Sequence, residues 1–264
     1  MKKTLIIGIL FLSACSSRHA TVNTEPGTSM IVHGKTFATF FQQYAAEYKA
    51  LCYQAFNIAR IRLDQYQPVS NLPKAIITDI DETVLDNSAY EAHQTLQGKD
   101  YDAASWLEWT NKAAADTVPG APAFLKYAAS KGVEIFYITN REEKERASTL
   151  QNLRQFGLPN ADDAHFFPKV SGSGKEPRRQ TVMATHEVIF LMGDNLGDFS
   201  SLFDKKTMDQ RETNTDISMS DFGKKFIVLP NPVYGDWEGA LINYNYKLTA
   251  AQKDSIIRSV LKSY

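Results

Sequence analysis

The sequence predicts an α/β fold, a doubly wound parallel sheet, on three observations. Short apolar runs rich in β-branched residues recur at 75–78, 133–139, 164–167, 188–192 and 226–229. Stretches with helical spacing and helix-end signals separate them, the alternation expected of a parallel sheet covered on both faces. Polar residues of chemically active types cluster where the runs end, and open α/β sheets bind ligands at the carboxyl ends of their strands.

Taken in order, Lys2 and Lys3 precede an apolar stretch from Leu5 to Leu12 that is too short to span a bilayer and fits a signal-peptide core. Leu12-Ser13-Ala14-Cys15 then resembles the bacterial lipobox, in which the cysteine is acylated and becomes the first residue. The expected organisation is a signal peptide at 1–14, a lipidated tether at 15–35 and a folded domain at 36–264. Several acyl chains on Cys15 anchor a protein stably, and Ser16 at the next position fits sorting to an outer membrane. With Cys15 acylated, Cys52 has no disulfide partner and reads as a buried thiol.

Over 36–65 apolar residues recur every three or four positions (Phe37, Phe40, Phe41, Tyr44, Tyr48, Leu51, Phe56, Ile58, Ile61), predicting an amphipathic helix or helical pair with most of that stripe packed inward. The first strand, 75–78, ends at Asp79. A helix-prone insertion at about 87–117, carrying Tyr90, Tyr101, Trp106 and Trp109, overhangs its end. Val118-Pro119-Gly120 opens a helix that Gly132 stops, and a charged helix at 142–156 stops at Gly157. Ser171-Gly172-Ser173-Gly174-Lys175 is a loop leading to a helix near Pro177, and a helical segment from Trp237 closes the chain.

In an extended chain residues i and i+2 face the same side, so Asp79 and Asp81 can address one bound group while Ile80 turns to the core. Two carboxylates so close imply that a cation lies between them or that one carries a proton. At 264 residues with 43% hydrophobic content the chain can bury a sizeable core, and a net charge of −1 gives no sign of a nucleic-acid-binding face. Small substrates fit better.

Four sites stand in order: Asp79-x-Asp81-x-Thr83, Thr139-Asn140, Lys175, and Gly193-Asp194-Asn195-Leu196-Gly197-Asp198-Phe199. This pattern resembles the haloacid dehalogenase superfamily of phosphohydrolases. The stretches 80–88, 137–141 and 193–199 are similar to the class C acid phosphatases, which include outer-membrane lipoproteins with 5′-nucleotidase activity. The resemblance runs over about 36–232. It implies a Mg²⁺-dependent phosphatase domain at 36–264, with Asp79 as nucleophile and Asp81 as acid and base. It further implies Mg²⁺ on Asp79, Asp194 and the backbone carbonyl of Asp81, phosphate held by Thr139, Asn140 and Lys175, and Asp198 supporting Lys175 or a metal-bound water. The dispersed histidines offer no zinc set.

By position, Gln54 on the N-terminal helix, Trp106 in the insertion and Tyr234 after the fifth strand match the places that line the substrate pocket in the resembling lipoproteins. The implied substrate is a small phosphomonoester, a nucleoside 5′-monophosphate foremost, met at a membrane to which the chain is lipid-anchored. Pocket completion by a second copy of the chain is left open. Two other readings of the same fold are a non-catalytic binding or storage protein and a phosphotransferase.

Overall fold

The structure, a computed structural model, describes residues 29–264. The expected signal peptide, Cys15 and the tether as far as residue 28 lie outside the described residues.

Two helices open the described chain, α1 (Met30–Tyr44) and α2 (Ala46–Asp64), parted at Ala45, whose extended backbone interrupts the helical hydrogen bonding. Then come β1 (Lys74–Thr78), β2 (Leu85–Asp86), α3 (Ser88–Leu96), α4 (Ala103–Asn111) and β3 (Asp116–Thr117). β2 and β3 pair antiparallel, so the segment 87–117 leaves and rejoins the fold through a two-stranded neck. The rest alternates: α5 (Ala121–Ser130), β4 (Glu134–Glu142), α6 (Arg146–Gln155), β5 (Phe166–Lys169), α7 (Glu176–Met183), β6 (Glu187–Gly193), α8 (Met208–Ile217) and β7 (Phe226–Val228). Helices α9 (Asp236–Leu241) and α10 (Ala250–Val260) finish it.

The central sheet is all parallel, in the order β5-β4-β1-β6-β7. From β1 the chain builds outward to β4 and β5, then returns to place β6 and β7 on the other side. That reversal is the switch point at which doubly wound sheets open a crevice. Successive strand residues face opposite layers. Ile76, Ile135, Tyr137 and Phe190 pack against Tyr48, Cys52 and Phe56 of α2, Phe124 and Leu125 of α5 and Leu150 and Leu153 of α6. Ala75, Ile77, Phe136 and Leu191 pack on the other face with Val182 of α7, Phe199 and Phe226. Burial on both faces explains why these strands read as unbroken apolar runs. Cys52 is wholly buried, which pushes its thiol up to about 11.

Two expectations about the N-terminal segment are corrected. The helix begins at Met30 rather than at 36, because Ser29 caps it, its hydroxyl accepting the Ile31 N–H and donating to Asp254 of α10. The stripe is only partly packed inward: Tyr48 and Phe56 are in the core with Phe41 and Ile58 against it, whereas Phe37, Phe40, Tyr44, Leu51 and Ile61 are exposed. α1 does not lie on the sheet. It is held by polar contacts on its other face, Gln42 donating to Asp86 at 2.9 Å, Gln43 to Ser88 at 3.2 Å and Lys35 pairing with Asp100 at 2.6 Å. α8 carries no apolar period and was not expected. A reciprocal cap between Thr207 and Gln210 starts it, and Arg211 is its buried residue.

Candidate active site

β1 stops at Thr78, but its ladder runs one residue further: the Asp79 N–H donates to the Met192 carbonyl at 2.9 Å. The chain then folds sharply, the Ile80 carbonyl accepting the N–H groups of Val84 and Leu85, each at 2.8 Å, with the Ile80 side chain fully buried. Asp79 and Asp81 are left facing one cavity of about 620 Å³, in the size range of small-molecule sites. Asn140, Lys175, Asp194, Asp198, Trp106 and Tyr234 line it too.

Lys175, at the start of α7, lies between two carboxylates, its Nζ 2.7 Å from Oδ1 of Asp79 and 2.6 Å from Oδ1 of Asp198. Asp194, at the end of β6, accepts a hydrogen bond from Asn231 at 2.8 Å. Asp79, Asp194 and Asp198 each offer an oxygen within 4.8 Å of the others. Burial, opposed by Lys175 and reinforced by Asp198 and Asp81, raises Asp79 above the ordinary carboxylate range. Burial and the charges of Asp198 and Asp79 likewise raise Asp194 well above its ordinary value. Burial works to lower Lys175, but Asp198 and Asp79 outweigh it and hold the ammonium charged.

Three carboxylates face one ammonium in this cluster. The excess negative charge and the oxygen-only donors fit a hard divalent cation. The expected carboxylates, Asp79 and Asp194, stand together, and Asp198, expected behind them as a partner of Lys175 or of a metal-bound water, stands with them. The Asp81 carboxylate, for which an acid and base role was expected, is turned to Arg141, whose Nη2 and Nε lie 2.7 and 3.0 Å from Oδ1. Asn87 donates to the same oxygen at 2.9 Å.

The phosphate-binding candidates divide. Asn140 lines the cavity and its side-chain oxygen accepts a hydrogen bond from Arg178 at 3.0 Å. Thr139 is fully enclosed, its hydroxyl accepting the Arg141 N–H at 3.1 Å. Trp106 packs edge-on to Tyr90, with the Arg141 guanidinium 5.7 Å from its ring centre. Tyr234 donates its hydroxyl to Glu82, a buried residue in left-handed backbone (φ 54°) whose carboxyl also accepts the Asn87 N–H at 2.8 Å. Burial, with the charges of Asp81 and Asp194, raises Glu82 well above its ordinary value. Gln54 is a correction: it is exposed on α2 and lines a separate groove with Ile58, Phe222 and Val228. The inner face of α2 is set by Tyr48, Cys52, Phe56 and Ala59, and Gln54 points off it.

Sequence reasoning gave no role to Arg141, Arg178, Arg179, Asn87 or Asn231. Arg179 donates to the carbonyls of Gly197 and Asp198, both at 2.8 Å, and so fixes the turn that presents Asp198. An arginine directly after Thr139-Asn140 at a strand end was the available signal for Arg141; the others become meaningful only once distant segments meet.

Residues 2–237 match the family described as HAD superfamily, subfamily IIIB (acid phosphatase). The fold is similar to the class C acid phosphatase from Bacillus anthracis, with a TM-score of 0.85 and 42% identity over 89% of this chain and 99% of that one. The same figures hold for that phosphatase solved with tungstate bound. Acid phosphatase 1 of Solanum lycopersicum is 25% identical over 166 residues, which are 60% of this chain. The chain spans little more than half, 57%, of the length of that curated relative.

Proposed function

Because the chain belongs to the HAD superfamily, subfamily IIIB acid phosphatases, we propose that it hydrolyses small phosphomonoesters, nucleoside 5′-monophosphates among them, through an aspartyl-phosphate on Asp79. The observation that carries this reading is Lys175 held between Asp79 and Asp198 beside the Asp194 carboxylate, at the adjoining ends of β1 and β6.

Asp79 attacks phosphorus, a new O–P bond forming as the bond to the ester oxygen breaks. Asp81 gives its proton to the departing alcohol, then takes one from the water that opens the acyl phosphate. Arg141 and Asn87 hold the Asp81 carboxyl in place. Lys175 and the Asn140 side chain face the phosphoryl oxygens and meet the negative charge that builds there. Asp79, Asp194 and Asp198 would hold a divalent cation, which we take to be Mg²⁺; when bound it offsets the repulsion between Asp79 and a phosphate dianion. The relative solved with tungstate, a tetrahedral oxyanion, supports oxyanion binding on this fold. Trp106, Tyr101 and Tyr234 offer aromatic surface to a base.

The purified protein is expected to hydrolyse p-nitrophenyl phosphate at mildly acid pH, to lose that activity in EDTA and to regain it with Mg²⁺. Asp79→Asn is expected to fall at least about a thousandfold and to accumulate no phosphoenzyme. Turnover by Asp79→Asn at the wild-type rate would refute the nucleophile. Lipidation at Cys15 and an outer-membrane location belong to the same proposal. Equal fatty-acid labelling of wild type and Cys15→Ala would refute them.

A further inference from the structure

A second set of charged side chains lines the same cavity from elements outside the sheet: Lys35 of α1, Glu91 of α3, Asp100 of the loop after α3, Glu238 of α9 and Lys253 of α10. None of them belongs to the phosphate machinery. Two of the three carboxylates are satisfied within the protein. Asp100 lies 2.6 Å from Lys35 and 3.8 Å from Lys253, and Glu238 lies 3.2 Å from Lys35. Burial acts to lower the Lys35 ammonium, but Glu238 and Asp100 outweigh it and hold it charged.

Glu91 is the exception. It is only 4% exposed and faces the cavity; Thr95 donates to its backbone carbonyl, Lys35 pairs with Asp100 and Glu238 instead, and among the described residues no hydrogen bond or ion pair reaches its carboxyl. Burial, opposed by Lys35 and reinforced by Asp100 and Glu238, pushes it up to about 7. A carboxyl that no protein group serves depends on solvent in the cavity for its hydrogen bonds, and a ligand N–H that reaches it takes that place. Here the open side is the cavity. With Glu91 ionised, three carboxylates against two ammonium groups leave the cluster short of one positive charge, so the matching donor is cationic or a strong N–H.

We propose that this wall is a leaving-group subsite, in which Glu91 accepts a hydrogen bond from an amino or other N–H group on the alcohol part of the ester. This rests on the phosphatase reading above and adds the chemistry that chooses among esters. An ester of this kind has its phosphate at the strand ends and its amino group at α3. An ester lacking such a group leaves Glu91 as it is.

The test uses phenyl phosphates bearing a 4-aminoalkyl chain of one to four carbons, each paired with the 4-alkyl ester of matching length, and reads the ratio of kcat/KM within each pair. In wild type the ratio is expected to reach about ten- to a hundredfold at one chain length. It should rise as pH passes 7 and Glu91 loses its proton; Lys35, Asp100, Glu238 and Lys253 face it, and effects on Asp79 or Asp81 cancel within the ratio. Glu91→Gln is expected to bring the ratio towards one, and Glu91→Asp to restore it for a longer chain. Amine and alkyl esters turned over alike by wild type at every length would overturn the proposal, whatever the variants do. A ratio unchanged in a Glu91→Gln protein that melts like wild type would overturn it as well. Failure of wild type to hydrolyse any of the alkyl esters would instead remove the phosphatase reading, and this subsite with it.

Discussion

The guanidinium of Arg141 grips Asp81 through two nitrogens while its third, Nη1, reaches the Thr149 hydroxyl of α6 at 3.1 Å. A residue of β4 thereby fixes a carboxyl that sits past the end of β1, and a helix on the outer layer fixes that residue in turn. Lysine, with one point of charge, cannot make these contacts together.

Arg141→Met strands Asp81 beside Asn87 with its charge unmatched. Breaking a buried pair from one side costs roughly 3–5 kcal/mol, so the urea midpoint should drop with little change in slope. Arg141→Lys is expected to recover part of the stability and less of the activity.

Gly193 ends β6 directly behind Asp198. A Cβ added there would lie 2.5 Å from the Asp198 Cβ and 2.6 Å from its Cγ. Asp198 has nowhere to retreat, since Oδ1 holds Lys175 and Oδ2 accepts the Asn195 N–H at 3.0 Å. Gly193→Ala should therefore displace Lys175 and lower kcat/KM by about a hundredfold, measured on p-nitrophenyl phosphate.

Glu187, at the start of β6, accepts hydrogen bonds from the Tyr66 and Ser70 hydroxyls and from the Val69 and Ser70 N–H groups, the last two at 2.8 Å. Those donors pull its carboxyl from the ordinary 4.5 down to about 2. A depressed pKa contributes stability that is complete above the ordinary value and lost as pH falls through the folded one. The Tm difference between wild type and Glu187→Gln should be constant above about pH 5 and should vanish near pH 2. A difference that survives at pH 2 would refute this assignment.

Trp106 and Tyr101 stand with their ring centres 6.2 Å apart at the cavity wall. Stacking of a base on one such ring is worth about 1–3 kcal/mol, so Trp106→Ala should raise KM for AMP about five- to a hundredfold relative to KM for glycerol phosphate. Equal changes for both esters would remove the nucleotide preference.

The central strands and the acids at their ends were legible because both are local. Ile76 and Ile77 must each be apolar when both faces of the sheet are covered, and Asp79 and Asp194 follow such runs directly. What depends on a helix's partner was not. The period of 36–65 marks faces but does not say which one meets the sheet, so Phe37 and Phe40 were expected inside, and the resemblance that put Gln54 at the substrate fixed its helix but not its face. Arg141 lies sixty positions from Asp81, and no spacing rule connects them. α8 had no apolar stripe to announce it.

β1 has hydrogen-bonded neighbours on both sides, and the Asp79 N–H belongs to one of those ladders. The amide of Asp79 can trade its proton with solvent only when β1 and β6 come apart. Heating should accordingly leave turnover intact until the whole molecule melts, with no warm, folded and inactive state on the way.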